Sequence, residues 1–148
     1  MTSHLLDIDS RFLAFYGNDE FSHYNMINNH LIEPEPGFHN VLQTINESSK
    51  VLILCDPPFS AVMSILRESL ERLRSTMATS FTSLMLILPY FTLKHLNQNA
   101  RHAKLTMLDY RIDYCNHKKL SKASFVRIFT DLPPAHVKPH KSWQSLYS

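Results

Sequence analysis

Glycine is nearly missing from this chain: Gly17 and Gly37 are the only two among 148 residues. A sequence this poor in the residue that tolerates left-handed backbone must turn by other means, and its eight prolines supply much of the punctuation. Cysteine is equally scarce. Cys55 and Cys115 are the whole complement, which excludes a disulfide framework and a four-cysteine zinc site built from this chain alone, so both are expected as free thiols. No run of about eighteen apolar residues occurs, so no membrane-spanning helix and no membrane partner are expected. The first residues carry His4, Asp7, Asp9 and Arg11 where a secretory signal needs an apolar block, which predicts an intracellular protein.

What is present suits one packed domain, since 44% of the residues are hydrophobic. The formal charge of +2 conceals an asymmetry. Residues 1–93 hold five Lys/Arg against ten Asp/Glu, and residues 94–148 hold ten against three, so −5 is followed by +7. A basic second half suits a phosphate-bearing partner, bound without regard to sequence and weakened by salt, although an ordinary solvated surface has the same composition.

Leu5 to Asp9 (LLDID) reads as a short buried strand that ends on an acid, and the chain turns at Gly17-Asn18-Asp19. His23 to Ile32 predicts a second strand, and Glu33-Pro34-Glu35-Pro36-Gly37 interrupts regular structure. Val41, Leu42 and Ile45 give helical spacing over His39 to Asn46. Val51 to Cys55 is an unbroken apolar run, the form of a parallel strand covered on both faces, and it stops at Asp56. From Ser60 to Thr76, Val62, Met63, Leu66, Leu70 and Leu73 define the apolar side of a helix, with Arg67, Glu68, Glu71, Arg72 and Arg74 opposite and Ser60 available as a cap. Leu84 to Leu88 repeats the pattern of strand, proline and helix through Pro89-Tyr90-Phe91 and on to Gln98. Leu105 to Tyr114 and Phe125 to Phe129 predict an antiparallel hairpin at a sheet edge. The fold expected is α/β with a mostly parallel sheet.

Ligands of open α/β sheets bind outside the carboxyl ends of the strands, where Asp56-Pro57-Pro58-Phe59 stands. An exocyclic adenine amine is a poor nucleophile, because its lone pair is delocalised into the ring, and it must be aimed at a methyl donor. Asp56 can accept one N6 hydrogen and the Pro57 carbonyl the other, while Phe59 stacks on the base. Consecutive prolines fix φ and remove competing N–H donors. Tyr90 and Phe91 offer further surfaces to a base taken out of its stack. The same four residues also serve simply to end a strand, since Asp and Pro are common turn formers.

In order along the chain, LLDIDSRF (5–12), FSHYNMINNHLI (21–32), CDPPF (55–59), LPYF (88–91), MLDYRIDYCNH (107–117) and VRIFTDLPP (126–134) together resemble the zinc-finger CCHC-type ribosomal RNA adenine-N6 methyltransferases. The resemblance implies a partial Rossmann-like class I core over residues 1–134, followed by a weakly ordered basic tail over 135–148. It implies S-adenosylmethionine as cofactor, ribosomal RNA as partner and a nucleolar or cytoplasmic location. By the same resemblance Asp56, Pro57, Pro58 and Phe59 form the target-adenine motif, Asp9 contacts the cofactor ribose, and Asn25 and Asn28 lie near the cofactor adenine. Asp9 is equally suited to a solvated turn.

Members of that family carry, ahead of the LLDID block, a strand and loop that cradle the methionine part of the cofactor, and zinc-binding segments beside the core. Neither is found in these residues, and a chain without them is expected to be weak or inactive alone. No zinc is expected, because His23, His30, His117, His136 and His140 do not combine with a cysteine pair at ligand spacing. The alternative is a non-catalytic RNA-binding or scaffold module using the basic face around Lys118, Lys119, Lys122 and Arg127.

Overall fold

The computed structural model describes residues 3–32, 36–46, 50–77, 81–98, 103–112 and 124–137. They fall into two compact units: 1–51 with 64–82, and 52–63 with 83–148.

In the first unit, strand β1 (Leu5–Asp7) lies parallel to β2 (Phe21–Asn25), and β2 is antiparallel to β3 (His30–Leu31). The single strand expected over 23–32 is thus a hairpin. Asn29 makes the difference: its φ of 57° takes the left-handed backbone that glycine would otherwise supply. The Tyr24 hydroxyl donates to Asn29 Oδ1, and Asn29 Nδ2 donates to the Ser69 carbonyl at 3.0 Å, so the turn is tied to helix α2 (Met63–Thr76). The Ser69 hydroxyl closes the link by donating to the Met26 carbonyl. Helix α1 (Pro36–Asn46) packs against β2 and buries Phe38.

Helix α2 begins at Met63 and not at Ser60, because the Ala61 N–H is given to the Pro58 carbonyl at 2.9 Å in the turn that precedes it. Leu66, Leu70 and Leu73 are buried as their spacing predicts. Glu71 is buried too, at 8% exposure, although periodicity sets it on the polar face. Its carboxylate is paired with Arg67 at 2.8 Å and approached by Arg74 at 3.8 Å, which is how a charge is accommodated away from water.

The second unit holds a four-stranded sheet in the order β4-β5-β7-β6, formed by β4 (Val51–Cys55), β5 (Thr82–Pro89), β6 (Thr106–Arg111) and β7 (Val126–Thr130). β7 is antiparallel to both β5 and β6, and β6 is the edge, as a terminal hairpin predicts. The fold is α/β, but its sheets are mixed and not mostly parallel. The reason is topological: β7 returns between β5 and β6 and reverses the direction of every pairing it makes.

The Val51 N–H donates to the Phe81 carbonyl at 2.9 Å, which puts the starting ends of β4 and β5 together. Leu84, Leu86 and Leu88 of β5 are fully buried. A buried side chain of this kind stabilises by roughly 1.5–3 kcal/mol. β4 differs from expectation. Leu52 and Leu54 are 50% and 63% exposed, because successive side chains of a strand point to opposite faces and the face carrying these two is open, while Cys55 on the other face is buried. The β5–β7 pair is pinned by the Leu84 N–H donating to Asp131 Oδ1 at 2.8 Å and the buried Thr130 hydroxyl donating to the Leu84 carbonyl at 2.6 Å.

After β5 the chain makes a 3-10 turn (Tyr90–Thr92) and helix α3 (Leu93–Asn97), which Asn97 ties back through a reciprocal amide pair with Leu105 at 2.9 and 3.0 Å. A final 3-10 turn (Pro134–His136) straddles the boundary predicted at residue 134, and the tail beyond 137 lies outside the described residues.

Candidate functional site

Asp56 follows β4 directly and is exposed, with Pro57 buried beneath it and Pro58 and Phe59 at the surface. Pro57 anchors the turn in the unit while the carboxylate stays accessible. No hydrogen bond or ion pair reaches the Asp56 carboxylate among the described residues, and none reaches the Pro57 carbonyl. Partial burial without a compensating donor pushes the Asp56 pKa up, since desolvation disfavours the charged form. Next to it, burial first and the Asp56 charge second push the Cys55 thiol up to about 11. Cys55 is therefore a protonated, buried thiol. Phe59, three residues beyond the acid, is 44% exposed.

The second acid sits in the other unit. Asp9 lies two residues beyond β1, where it caps a 3-10 helix (Ser10–Ala14) by accepting the Arg11 N–H at 3.0 Å. The Arg11 guanidinium also bonds both Asp9 oxygens, with Nε at 2.9 Å from each. These bonds hold the Asp9 pKa down at about 2. Because β1 and β2 run parallel with Asp7 opposite His23, Asp9, two residues past the end of β1, is level with Asn25, the last residue of β2. His23 Nε2, 2.9 Å from the Ile8 carbonyl, ties the two segments together.

Asn25 and Asn28 are used first by the hairpin. Asn25 Oδ1 accepts the Ile27 N–H at 3.0 Å, and Asn28 Oδ1 accepts the His30 N–H at 3.1 Å. Asn28 also lines a cavity of about 190 Å³ with Tyr24, Asn29, Phe38 and Arg72. The structure thus brings Asp9 and Asn25 to one strand end and sets Asn28 in the turn that follows.

Of the basic residues singled out from sequence, Arg127 lies on β7, where its Nη1 donates to the Ser124 and Val126 carbonyls at 2.5 and 2.7 Å. Lys118, Lys119 and Lys122 lie outside the described residues. Among the described residues no three His, Cys, Asp or Glu side chains are grouped to hold a metal, and no helix is long and apolar enough to cross a membrane.

Sequence reasoning missed Phe125. Its carbonyl accepts the Tyr90 N–H at 2.8 Å, which joins the end of β5 to the start of β7, and the ring is 52% exposed. The available signal was an aromatic at the first position of a strand, which by itself points only to packing.

The turn after β4 thus carries an acid that meets no donor among the described residues, two prolines that fix the backbone, and an exposed ring. Residues 1–132 match the family model described as "Probable N6-adenine methyltransferase", and the chain belongs to that family. It is similar to the rRNA N(6)-adenosine-methyltransferase ZCCHC4 of Xenopus tropicalis, with 38% identity over 144 residues, covering 88% of this chain and 29% of the relative. The Homo sapiens protein of the same name is 32% identical over 146 residues, covering 88% of this chain and 28% of the relative. The chain therefore spans less than a third of the length of these curated relatives.

Proposed function

We propose that this chain is the target-base segment of an S-adenosylmethionine-dependent RNA adenine-N6 methyltransferase, with ribosomal RNA as substrate and an intracellular, nucleolar or cytoplasmic, setting. The observation that carries the reading is the Asp56 carboxylate beside the Pro57 carbonyl, neither with a hydrogen-bond partner among the described residues. We read the two sheets as parts of a Rossmann-like class I core, supported by the parallel β1–β2 pair and by acids placed beyond the carboxyl ends of β1 and β4.

The two N6 hydrogens of adenine are accepted by Asp56 and by the Pro57 carbonyl, which fixes the amine plane and directs its lone pair away from the loop. The raised pKa of Asp56 makes it a stronger acceptor for that hydrogen and a suitable exit for the surplus proton when the nitrogen–carbon bond forms. Phe59 stacks on the ring and keeps water off the amine. When bound, the cofactor would supply a methyl group carried on a sulfonium sulfur, which would take the bonding electrons and leave as the neutral thioether. Asp9 suits the ribose, since one carboxylate can accept both hydroxyl hydrogens, and its two oxygens already accept such a bidentate set from Arg11. Asn25, level with Asp9 on the adjoining strand, suits the cofactor adenine, and Asn28 lies at the same turn. The basic residues Arg127, Lys118, Lys119 and Lys122 are assigned to RNA phosphates.

The test is Asp56→Asn in the full-length protein, with methyl transfer to an RNA substrate and RNA affinity measured side by side. Transfer is expected to be lost while affinity is kept. Retained transfer overturns the reading, and an equal fall in both assigns Asp56 to RNA binding alone.

A further inference from the structure

Three large aromatic rings stand in solvent where β5 ends and β7 begins. Tyr90, Phe91 and Phe125 are 55%, 62% and 52% exposed. Tyr90 and Phe91 meet edge on, with centroids 5.6 Å apart. Phe125 joins them through the hydrogen bond between its carbonyl and the Tyr90 N–H, directly beyond the last pair of the ladder, Pro89 opposite Val126. Arg127 clasps the segment that carries Phe125 through the carbonyls on either side of it, and its remaining guanidinium nitrogens meet no acceptor among the described residues. Lys94 is exposed three positions beyond Phe91.

Leaving such rings in water forgoes the gain from burial, so their exposure calls for an occupant. Charge selects which one. Phe125, Arg127 and Lys94 belong to the half of the chain with ten Lys/Arg against three Asp/Glu, and Tyr90 and Phe91 stand at its border; rings set among cationic side chains suit an anionic strand with accessible base faces. Position agrees: β4 and β5 start together, β4 runs out into Asp56-Pro57-Pro58-Phe59 and β5 into Tyr90-Phe91, so the rings stand at the end of the sheet that carries Asp56.

We propose that Tyr90, Phe91 and Phe125 form a stacking platform for unpaired RNA nucleotides that flank the adenosine held at Asp56, with Arg127 and Lys94 taking the adjoining phosphates. This deepens the function proposed above and rests on it for the identity of the strand as RNA. Stacking recognises a base by its face, so the platform selects single-stranded over paired RNA and tolerates sequence changes beside the target.

The experiment measures binding of the full-length protein to a fluorescent single-stranded RNA and to the duplex of the same sequence. Tyr90→Ala combined with Phe125→Ala is expected to weaken single-strand binding by about tenfold or more and to leave the duplex nearly unchanged. Tyr90→Leu with Phe125→Leu keeps apolar bulk, guards against a folding defect seen as a fall in Tm, and is expected to bind as poorly as the alanine pair. Tyr90→Phe restores binding. Unchanged single-strand affinity in the alanine pair, wild-type affinity in the leucine pair, or an equal loss on the duplex each overturns the platform. The outcomes separate the two claims: transfer that survives Asp56→Asn removes the catalytic reading, whereas ring variants without effect remove only the platform.

Discussion

Each compact unit places an aspartate beyond the end of a strand, Asp9 after β1 and Asp56 after β4. Around Asp9 the local sequence provides everything the carboxylate needs. Arg11, two residues on, gives it a backbone N–H and its guanidinium, and the pKa falls to about 2. Around Asp56 the following residues are prolines, which have no N–H to give, and the pKa rises. The difference teaches what each acid can offer. A ligand at Asp9 must displace or share the bonds from Arg11, so the gain on binding is modest and the geometry is fixed beforehand. A donor arriving at Asp56 meets an acceptor with no competitor among the described residues, and under the proposed function the adenine amine would be that donor.

The strongest way to break this comparison is to remove the Asp56 charge. Asp56→Asn in the full-length protein is expected to lower methyl transfer by about 10²–10³-fold, the scale of losing one electrostatic contact to a reacting group, read by tritiated methyl incorporation into RNA. Asp9→Ala should weaken S-adenosylmethionine binding by roughly tenfold, the worth of a charge-assisted hydrogen bond, measured by calorimetry on the same protein. Arg11→Ala should weaken it less, and a loss as large as that of Asp9→Ala would assign Arg11 to the cofactor.

Smaller effects concern folding. Asn29→Ala puts a side chain with no amide at φ 57° and removes the hydrogen bonds that Asn29 makes with the Tyr24 hydroxyl and the Ser69 carbonyl, so it should destabilise the protein by about 1–3 kcal/mol in urea unfolding. The smallest effect is the sign of the pH response. Asp9 has a lowered folded pKa, so its stabilisation is present above the ordinary value near 3.8 and is lost as pH falls through about 2. Asp56 has a raised folded pKa, so protonation favours the folded state and its cost appears as pH rises past that raised value. At neutral pH Asp56→Asn should then leave Tm equal or slightly higher, and Asp9→Asn should lower it. A fall of equal size in both variants would remove the contrast between the two acids.

Most elements were legible because their apolar spacing is regular. The runs 84–88 and 125–129 became β5 and β7, and the helical stripe of Leu66, Leu70 and Leu73 is the buried side of α2. Elements failed where a side-chain partner decides the outcome. The 23–32 segment alternates well enough for one strand, and the structure bends it into a hairpin whose turn is tied to Ser69, forty residues on from Asn29. Glu71 reads as polar surface until Arg67 and Arg74 are placed beside it.

The order of residues by itself determined that Asp56 is followed by two prolines and an aromatic ring, and that the second half of the chain is basic, because these are properties of covalent sequence and composition. It likewise determined the bond between Asp9 and Arg11, which spans two residues. The tertiary structure alone decided that β7 lies antiparallel between β5 and β6, that β4 keeps one side in solvent, and that Phe125 stands beside Tyr90. These depend on which strands pair, and strand pairing joins residues far apart in the chain through backbone groups that every sequence shares.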